Sequence, residues 1–119
     1  MALTIISINV NGLRGPLKRA GFLLWLHSLP SIPDIVCLQE THCMSSEECS
    51  SWFSSSGLSF VVSPGSINSC GCIVLYRPVL SLVSSSSDSN GVVVCFIVSR
   101  GASGVIGSVV DCRFFLSAF

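Results

Sequence analysis

The residues best suited to chemistry stand in two short polar runs, each directly after an apolar, β-branched stretch. The first is Asn9-Val10-Asn11-Gly12-Leu13-Arg14, and the second is Gln39-Glu40-Thr41-His42. Open α/β sheets bind their ligands in the crevice at strand carboxyl ends, so polar residues that surface there meet a ligand first. A carboxylate at such an end, Glu40, can hold a hard cation. Two asparagines spaced by one residue face the same way from an extended segment. Their amides can donate to a phosphate oxygen or orient a metal-bound water. Each run also has a plainer meaning. Asn11-Gly12 is a common turn dipeptide, and a polar strand end can simply meet solvent.

A strand, a helix and a second strand must position these runs. Residues 3–10 are apolar and β-branched and read as the first strand. Pro16 opens a helix over 17–29, with apolar residues at 23, 24, 26 and 29 beside Lys18 and Arg19, and Pro30 and Pro33 close it. Ile35-Val36-Cys37-Leu38 is a short strand buried on both faces. The unit is strand, helix, strand, the beginning of a sheet-centred α/β domain. Ser45 and Glu48 then stand at capping-box spacing, which predicts a short helix through Phe53 that stops near Gly57. Strands are expected at 58–62, 72–76, 79–83 and 92–98. The serine run at 84–89 reads as a loop, and Asp88-Ser89-Asn90-Gly91 as a hairpin turn.

Composition narrows the function classes. A chain of 119 residues makes one domain with a modest core. Six basic and six acidic residues leave no overall basic field, so any contact with nucleic acid must be local. Half of the residues are hydrophobic, only 10% are charged and the mean hydropathy is +0.75, so an uncovered surface would be poorly soluble. Seven cysteines, one of them inside a buried strand, point to free thiols in a reducing compartment. No secretory signal opens the chain, and its longest apolar run, 92–98, is far shorter than the roughly 18 residues of a membrane span. The expectation is a nuclear or cytoplasmic protein that is neither secreted nor in the membrane. Cys37, His42, Cys43 and Cys49 lie near one another but match no standard zinc spacing. Cys70-Gly71-Cys72 reads as small residues packing in a strand, and Gly101, Gly104 and Gly107 lack the strand–turn–helix context of a phosphate cradle.

The two polar runs together resemble one family. Strand, Asn-x-Asn-Gly-Leu-Arg, helix, then Pro-Asp-Ile-Val-Cys-Leu-Gln-Glu-Thr-His is similar to the start of the endonuclease/exonuclease/phosphatase superfamily, which includes exonuclease III, the apurinic endonucleases and DNase I. His42 after Glu40-Thr41, with residues 69–76 as the next core strand, looks most like the endonuclease domains of LINE-type retrotransposons. The resemblance covers residues 3 to about 98. It implies a DNase I-like four-layer α/β sandwich, of which this chain holds the N-terminal half, truncated. It also implies hydrolysis of DNA phosphodiester bonds with Mg²⁺, or Mn²⁺ in its place. By this resemblance Glu40 is the metal ligand, Asn9 and Glu40 are catalytic, and Asn11, Arg14 and His42 line the DNA-contacting surface.

Other family motifs have no counterpart. The family's Tyr-x-Pro strand, Asp-x-Asn pair and terminal Ser-Asp-His all fall later in its domain. Here Tyr76 lies within another strand, the aspartates are Asp34, Asp88 and Asp111, and the histidines are His27 and His42. The letters Asp88-Ser89-Asn90 occur only in the serine-rich hairpin. Without a base to orient water, one metal carboxylate should retain little rate. The expectation is therefore a partial domain over 1–98 that is inactive alone, followed by a divergent tail over 99–119 whose folding the sequence leaves open. Two alternatives stand beside it: a non-catalytic module that associates through its exposed half-sheet, or a retrotransposon relic without function.

Overall fold

β-branched residues give the first strand, β1 (Ile5–Asn9), and Asn11 and Gly12 end it by taking positive φ angles of 52° and 89°. Pro16 then supplies the first turn of α1 (Pro16–Ser28), where its missing N–H costs nothing. The apolar strand β2 (Ile35–Gln39) returns parallel to β1 and is buried along its whole length. α2 (Ser46–Phe53) begins as its capping spacing predicts, with Ser45 Oγ accepting from the Glu48 amide at 3.1 Å. Glu47 and Glu48 in its first turn suit the positive end of the helix dipole. β3 (Ser59–Ser63) and β4 (Cys72–Tyr76) complete a mixed sheet in the order β1-β2-β4-β3. A second, antiparallel sheet follows in the order β5-β6-β7, formed by Leu80–Ser87, Val94–Arg100 and Ser108–Asp111. The computed structural model describes residues 4–87, 94–100 and 108–111, with side chains up to Ser81.

The pleat of the first sheet sorts its side chains into two layers. Ile8, Val36, Leu38, Ile73 and Leu75 face the helices and bury Phe22, Leu26, Cys49 and Phe53. Ile35, Cys37, Cys72, Val74 and Tyr76 occupy the opposite face together with Leu80. On that side β3 and β4 lie against β5 and β6. The order from helices to first sheet to second sheet agrees with the expected α/β sandwich. Leu17 and Leu24 sit on the outer side of α1, 89% and 75% exposed, so Phe22 and Leu26 dock the helix.

One part of the sequence reading needs correction. The serines at 84–87 are strand: β5 runs on to Ser87, paired with β6 from Leu80↔Arg100 to Ser87↔Val94, with a register shift between Leu82 and Ser84. Ladder pairing with an apolar partner strand overrides the weak intrinsic preference of serine. Within 99–119, whose folding the sequence left open, β7 pairs antiparallel with β6 from Cys95↔Asp111 to Val98↔Ser108. The expected hairpin turn at 88–91 lies outside the described residues.

Candidate active site

Because β1 and β2 are parallel, with Asn9 beside Gln39, both polar runs leave the sheet at the same end. Pairing continues beyond the strands. The amides of Val10, Gly12 and Leu13 donate to the carbonyls of Gln39, Glu40 and Thr41 at 3.0, 2.6 and 2.9 Å. β4 is antiparallel to β2, so the turn leading into it arrives at this end too. There the amides of Thr41 and His42 donate to the carbonyls of Gly71 and Cys70 at 2.9 and 2.8 Å. Thr41, fully buried, also bridges the turn, donating through Oγ1 to the Gly71 carbonyl and accepting from the Cys43 amide.

This junction holds unusual backbone. Among the described residues, the non-glycine positions with positive φ are Asn11 (52°), Glu40 (55°), His42 (63°) and Cys70 (61°), and all four lie here. Left-handed backbone costs roughly 1–2 kcal/mol for a residue with a Cβ, and asparagine tolerates it best. Such strain persists only where neighbouring bonds hold it, and it concentrates at functional sites. The crossing hydrogen bonds between residues 10–13, 39–43 and 70–71 hold it in this case.

The side chains follow from that frame. Glu40 Oε2 accepts from the Cys70 amide at 3.0 Å and lies 3.7 Å from His42 Nε2. Its other oxygen accepts no bond from the described residues, and the side chain is 41% exposed. The His42 ring lies over Gly12, close enough that a Cβ on Gly12 would stand 2.9 Å from Nδ1. Asn9 Oδ1 accepts from the Asn11 amide at 3.0 Å, an Asx turn that fixes the side-chain amide and leaves its NH₂ as a donor. Asn9, Asn11, Glu40 and His42 therefore gather where β1 and β2 leave the same end of the sheet.

Arg14 does not join them as a free cation. Its guanidinium forms a bidentate pair with Glu48 at 2.6 and 2.8 Å, donates to the His42 carbonyl at 3.1 Å and lies 5.7 Å from the Trp52 ring. Arg19 stacks on the same ring at 4.7 Å. The bond to Glu48 raises the Arg14 pKa, and the same bond, outweighing desolvation, lowers that of Glu48. Arg14 thus ties α2 to the loop that presents His42. The charge found beside Asn11 is Lys18, whose Nζ donates to the Asn11 carbonyl at 3.1 Å. Its place in the first turn of α1, directly after the turn, was the available signal.

Gln39, the first residue of the second polar run, received no role of its own from the sequence. It is buried, with Nε2 donating to Ser7 Oγ and the Cys37 carbonyl at 2.8 and 3.2 Å, and its Oε1 has no partner among the described residues. Cys37 packs in the layer facing the second sheet, whereas Cys43 and Cys49 pack under the helices, so the sheet divides the thiols. Hydrogen bonding from the Cys49 thiol lowers the Cys43 pKa, and the same contact, with burial, raises that of Cys49.

A hard cation fits this donor set. Mg²⁺ takes one or two protein carboxylates, keeps several waters and lets a substrate phosphate complete its shell. Glu40 offers a carboxylate with solvent access: one oxygen is open among the described residues, and Oε2, held by the Cys70 amide, keeps a second lone pair on the side of His42.

Residues 6–110 match the model of the Endonuclease/Exonuclease/phosphatase family. The chain belongs to this family. The match extends past Ser99, where the sequence reading placed the end of the resemblance. Among solved structures, the crystal structure of AP endonuclease LMAP from Leishmania major is similar, with a TM-score of 0.61 over 84% of this chain at 24% identity. The chain covers 36% of that enzyme's length. At this identity the likeness establishes the DNase I-like fold. Among the described residues, no helix is long and apolar enough to cross a membrane.

Proposed function

We propose that this chain is the cation-binding, N-terminal part of a metal-dependent DNA endonuclease domain of the LINE retrotransposon type. The observation that supports it most is the Glu40 carboxylate, held by the Cys70 amide at the shared end of β1 and β2 beside the Asn9–Asn11 turn. On this reading Glu40 binds Mg²⁺, or Mn²⁺ in its place, and the Asn9 amide donates to the scissile phosphate. Asn11 and Lys18 meet the neighbouring DNA backbone. The cation would stabilise charge on the phosphate and the leaving oxygen. DNA is the partner, and the setting is nuclear or cytoplasmic.

Among the described side chains, neither Asp34 nor His27 is placed as a general base for this site. Asp34 sits at the opposite end of the sheet, where it accepts from the Thr4 amide at 2.9 Å and faces Arg77 at 3.4 Å. His27 lies on the outer, exposed part of α1. General bases typically contribute 10²–10⁴-fold, so residues 1–119 alone bind the cation and DNA but nick slowly or not at all. The second reading is an interaction module, favoured by β1 at the edge of its sheet with Ile5 40% exposed.

Plasmid nicking by the purified chain with Mg²⁺, with EDTA and Glu40→Ala controls, tests the proposal once a circular dichroism melt establishes a cooperative fold. Cation-dependent DNA binding that is lost in Glu40→Ala, without efficient nicking, is expected. DNA binding indifferent to both Mg²⁺ and Glu40 would favour the interaction module. Efficient nicking that depends on Glu40 would show that a substitute base is present.

A further inference from the structure

The Glu40 carboxylate and the His42 imidazole face each other at 3.7 Å, too far apart for a hydrogen bond. Two ligands of one cation stand roughly 3.0 Å apart in an octahedral shell and about 3.4 Å apart in a tetrahedral one, given bonds of about 2.1 Å. Closing the gap by about 0.3 Å for a tetrahedral shell, or about 0.7 Å for an octahedral one, would let Oε2 and Nε2 share an ion. Both groups are oriented by the same residue. The Cys70 amide donates to Glu40 Oε2 at 3.0 Å, while the Cys70 carbonyl accepts from the His42 amide at 2.8 Å. The ring is further set by Gly12, which packs against its Nδ1 edge. Among the described residues, no hydrogen-bond partner occupies Nε2. The left-handed φ angles of Glu40 and His42, two positions apart, turn both side chains toward one point.

We propose that His42 Nε2 is a second protein ligand of the cation held by Glu40, and that it makes the centre favour Mn²⁺ or Zn²⁺ over Mg²⁺. The inference rests on the reading of Glu40 as the cation ligand. Imidazole is a poor ligand for Mg²⁺, which prefers oxygen, and a good one for first-row transition metals. Waters complete the shell, since no group of three or more His, Cys, Asp or Glu side chains gathers among the described residues.

Isothermal titration of the full chain with MnCl₂ and with MgCl₂ tests it. The wild type should bind Mn²⁺ at least ~10-fold more tightly than Mg²⁺, the scale on which support of a metal site is felt. In His42→Ala that margin should collapse while Mg²⁺ affinity changes by less than about 2-fold, because Mg²⁺ draws little from imidazole. Glu40→Gln should lose both ions. An unchanged Mn²⁺/Mg²⁺ ratio in His42→Ala would overturn the role of His42 and leave Glu40 as the ligand. No binding of either ion by the wild type would overturn both. Ring-nitrogen NMR of the wild type with ZnCl₂ needs no variant. Nε2 of His42 should move on binding while Nδ1 stays near its free position, and a stationary Nε2 in a Zn²⁺-saturated sample would sink the proposal.

Discussion

The backbone amide of Cys70 donates to Glu40 Oε2 at 3.0 Å across thirty positions of sequence. This bond joins the turn before β4 to the end of β2 and orients the carboxylate with a main-chain donor. Main-chain donors hold a side chain without the rotamer freedom of a side-chain partner, so the geometry of Glu40 is a property of the fold itself.

Thr41 supports that turn from inside. Its hydroxyl donates to the Gly71 carbonyl at 2.9 Å and accepts from the Cys43 amide at 3.2 Å, in full burial. Thr41→Val keeps the shape but leaves two buried polar groups without this partner. It should cost about 1–3 kcal/mol in urea unfolding. A loss under ~0.5 kcal/mol would mean that the turn forms without the hydroxyl.

Gly65 is where two backbones come closest. A Cβ there would stand 2.3 Å from the Gly71 nitrogen and 2.5 Å from the Cys70 carbonyl carbon, with no flexible side chain to yield. Gly65→Ala should therefore cost about 3 kcal/mol, at the upper end for overpacking. It should also displace Cys70 and weaken cation binding at Glu40. Unfolding curves and Mg²⁺ titration of the same variant check both.

Much of this frame was legible in the sequence. Asn11-Gly12 marks a turn by composition, 35–38 marks a buried strand by an unbroken apolar run, and Ser45 with Glu48 marks a helix start by spacing. Each signal is local. The Cys70 bond was not legible, since a cysteine gives no hint of left-handed backbone and its partner lies thirty positions away. The role of Arg14 was hidden for the same reason, because it depends on Glu48 and Trp52 on a helix that the chain reaches only later. At Ser84–Ser87 composition misled, because a partner strand supplied the order that the serines lack.

The pairing of Glu48 with Arg14 carries a pH signature. The bond depresses the Glu48 pKa below its ordinary value of 4.5, so its stabilisation is full above that value and is lost as pH falls through the folded-state pKa. Wild-type stability should decline on acidification from about pH 4.5 downward. Glu48→Gln should melt lower than the wild type at neutral pH and respond less in the acidic window. Parallel pH dependence of the two proteins in thermal melts would remove this pair from the acid response.

Cation binding is linked to folding. At a free Mg²⁺ concentration 100 times the dissociation constant, the folded chain should gain about 2.7 kcal/mol, a gain that EDTA reverses. Glu40→Gln should show no such gain, while its melting without metal stays close to that of the wild type. A Mg²⁺-induced rise that survives in Glu40→Gln would place the cation elsewhere.

The positive φ angles allow a paired test of strain at the junction. Cys70 sits at 61° and uses only its backbone to hold Glu40 and His42, so Cys70→Gly keeps both bonds and removes the steric cost of a Cβ. Relief of roughly 1–2 kcal/mol, offset by about 0.4–1 kcal/mol of added freedom in the unfolded chain, leaves a net gain of about 0.8 kcal/mol. Gly12→Ala is the converse. At φ 89°, with a new Cβ 2.9 Å from His42 Nδ1, it gains strain and pushes on the ring. It should lose about 1–2 kcal/mol and, through His42, weaken Mn²⁺ binding more than Mg²⁺ binding. Urea unfolding of both variants, with metal titration of Gly12→Ala, measures the pair. Destabilisation by Cys70→Gly would mean that the cysteine side chain, not its backbone, holds the junction together.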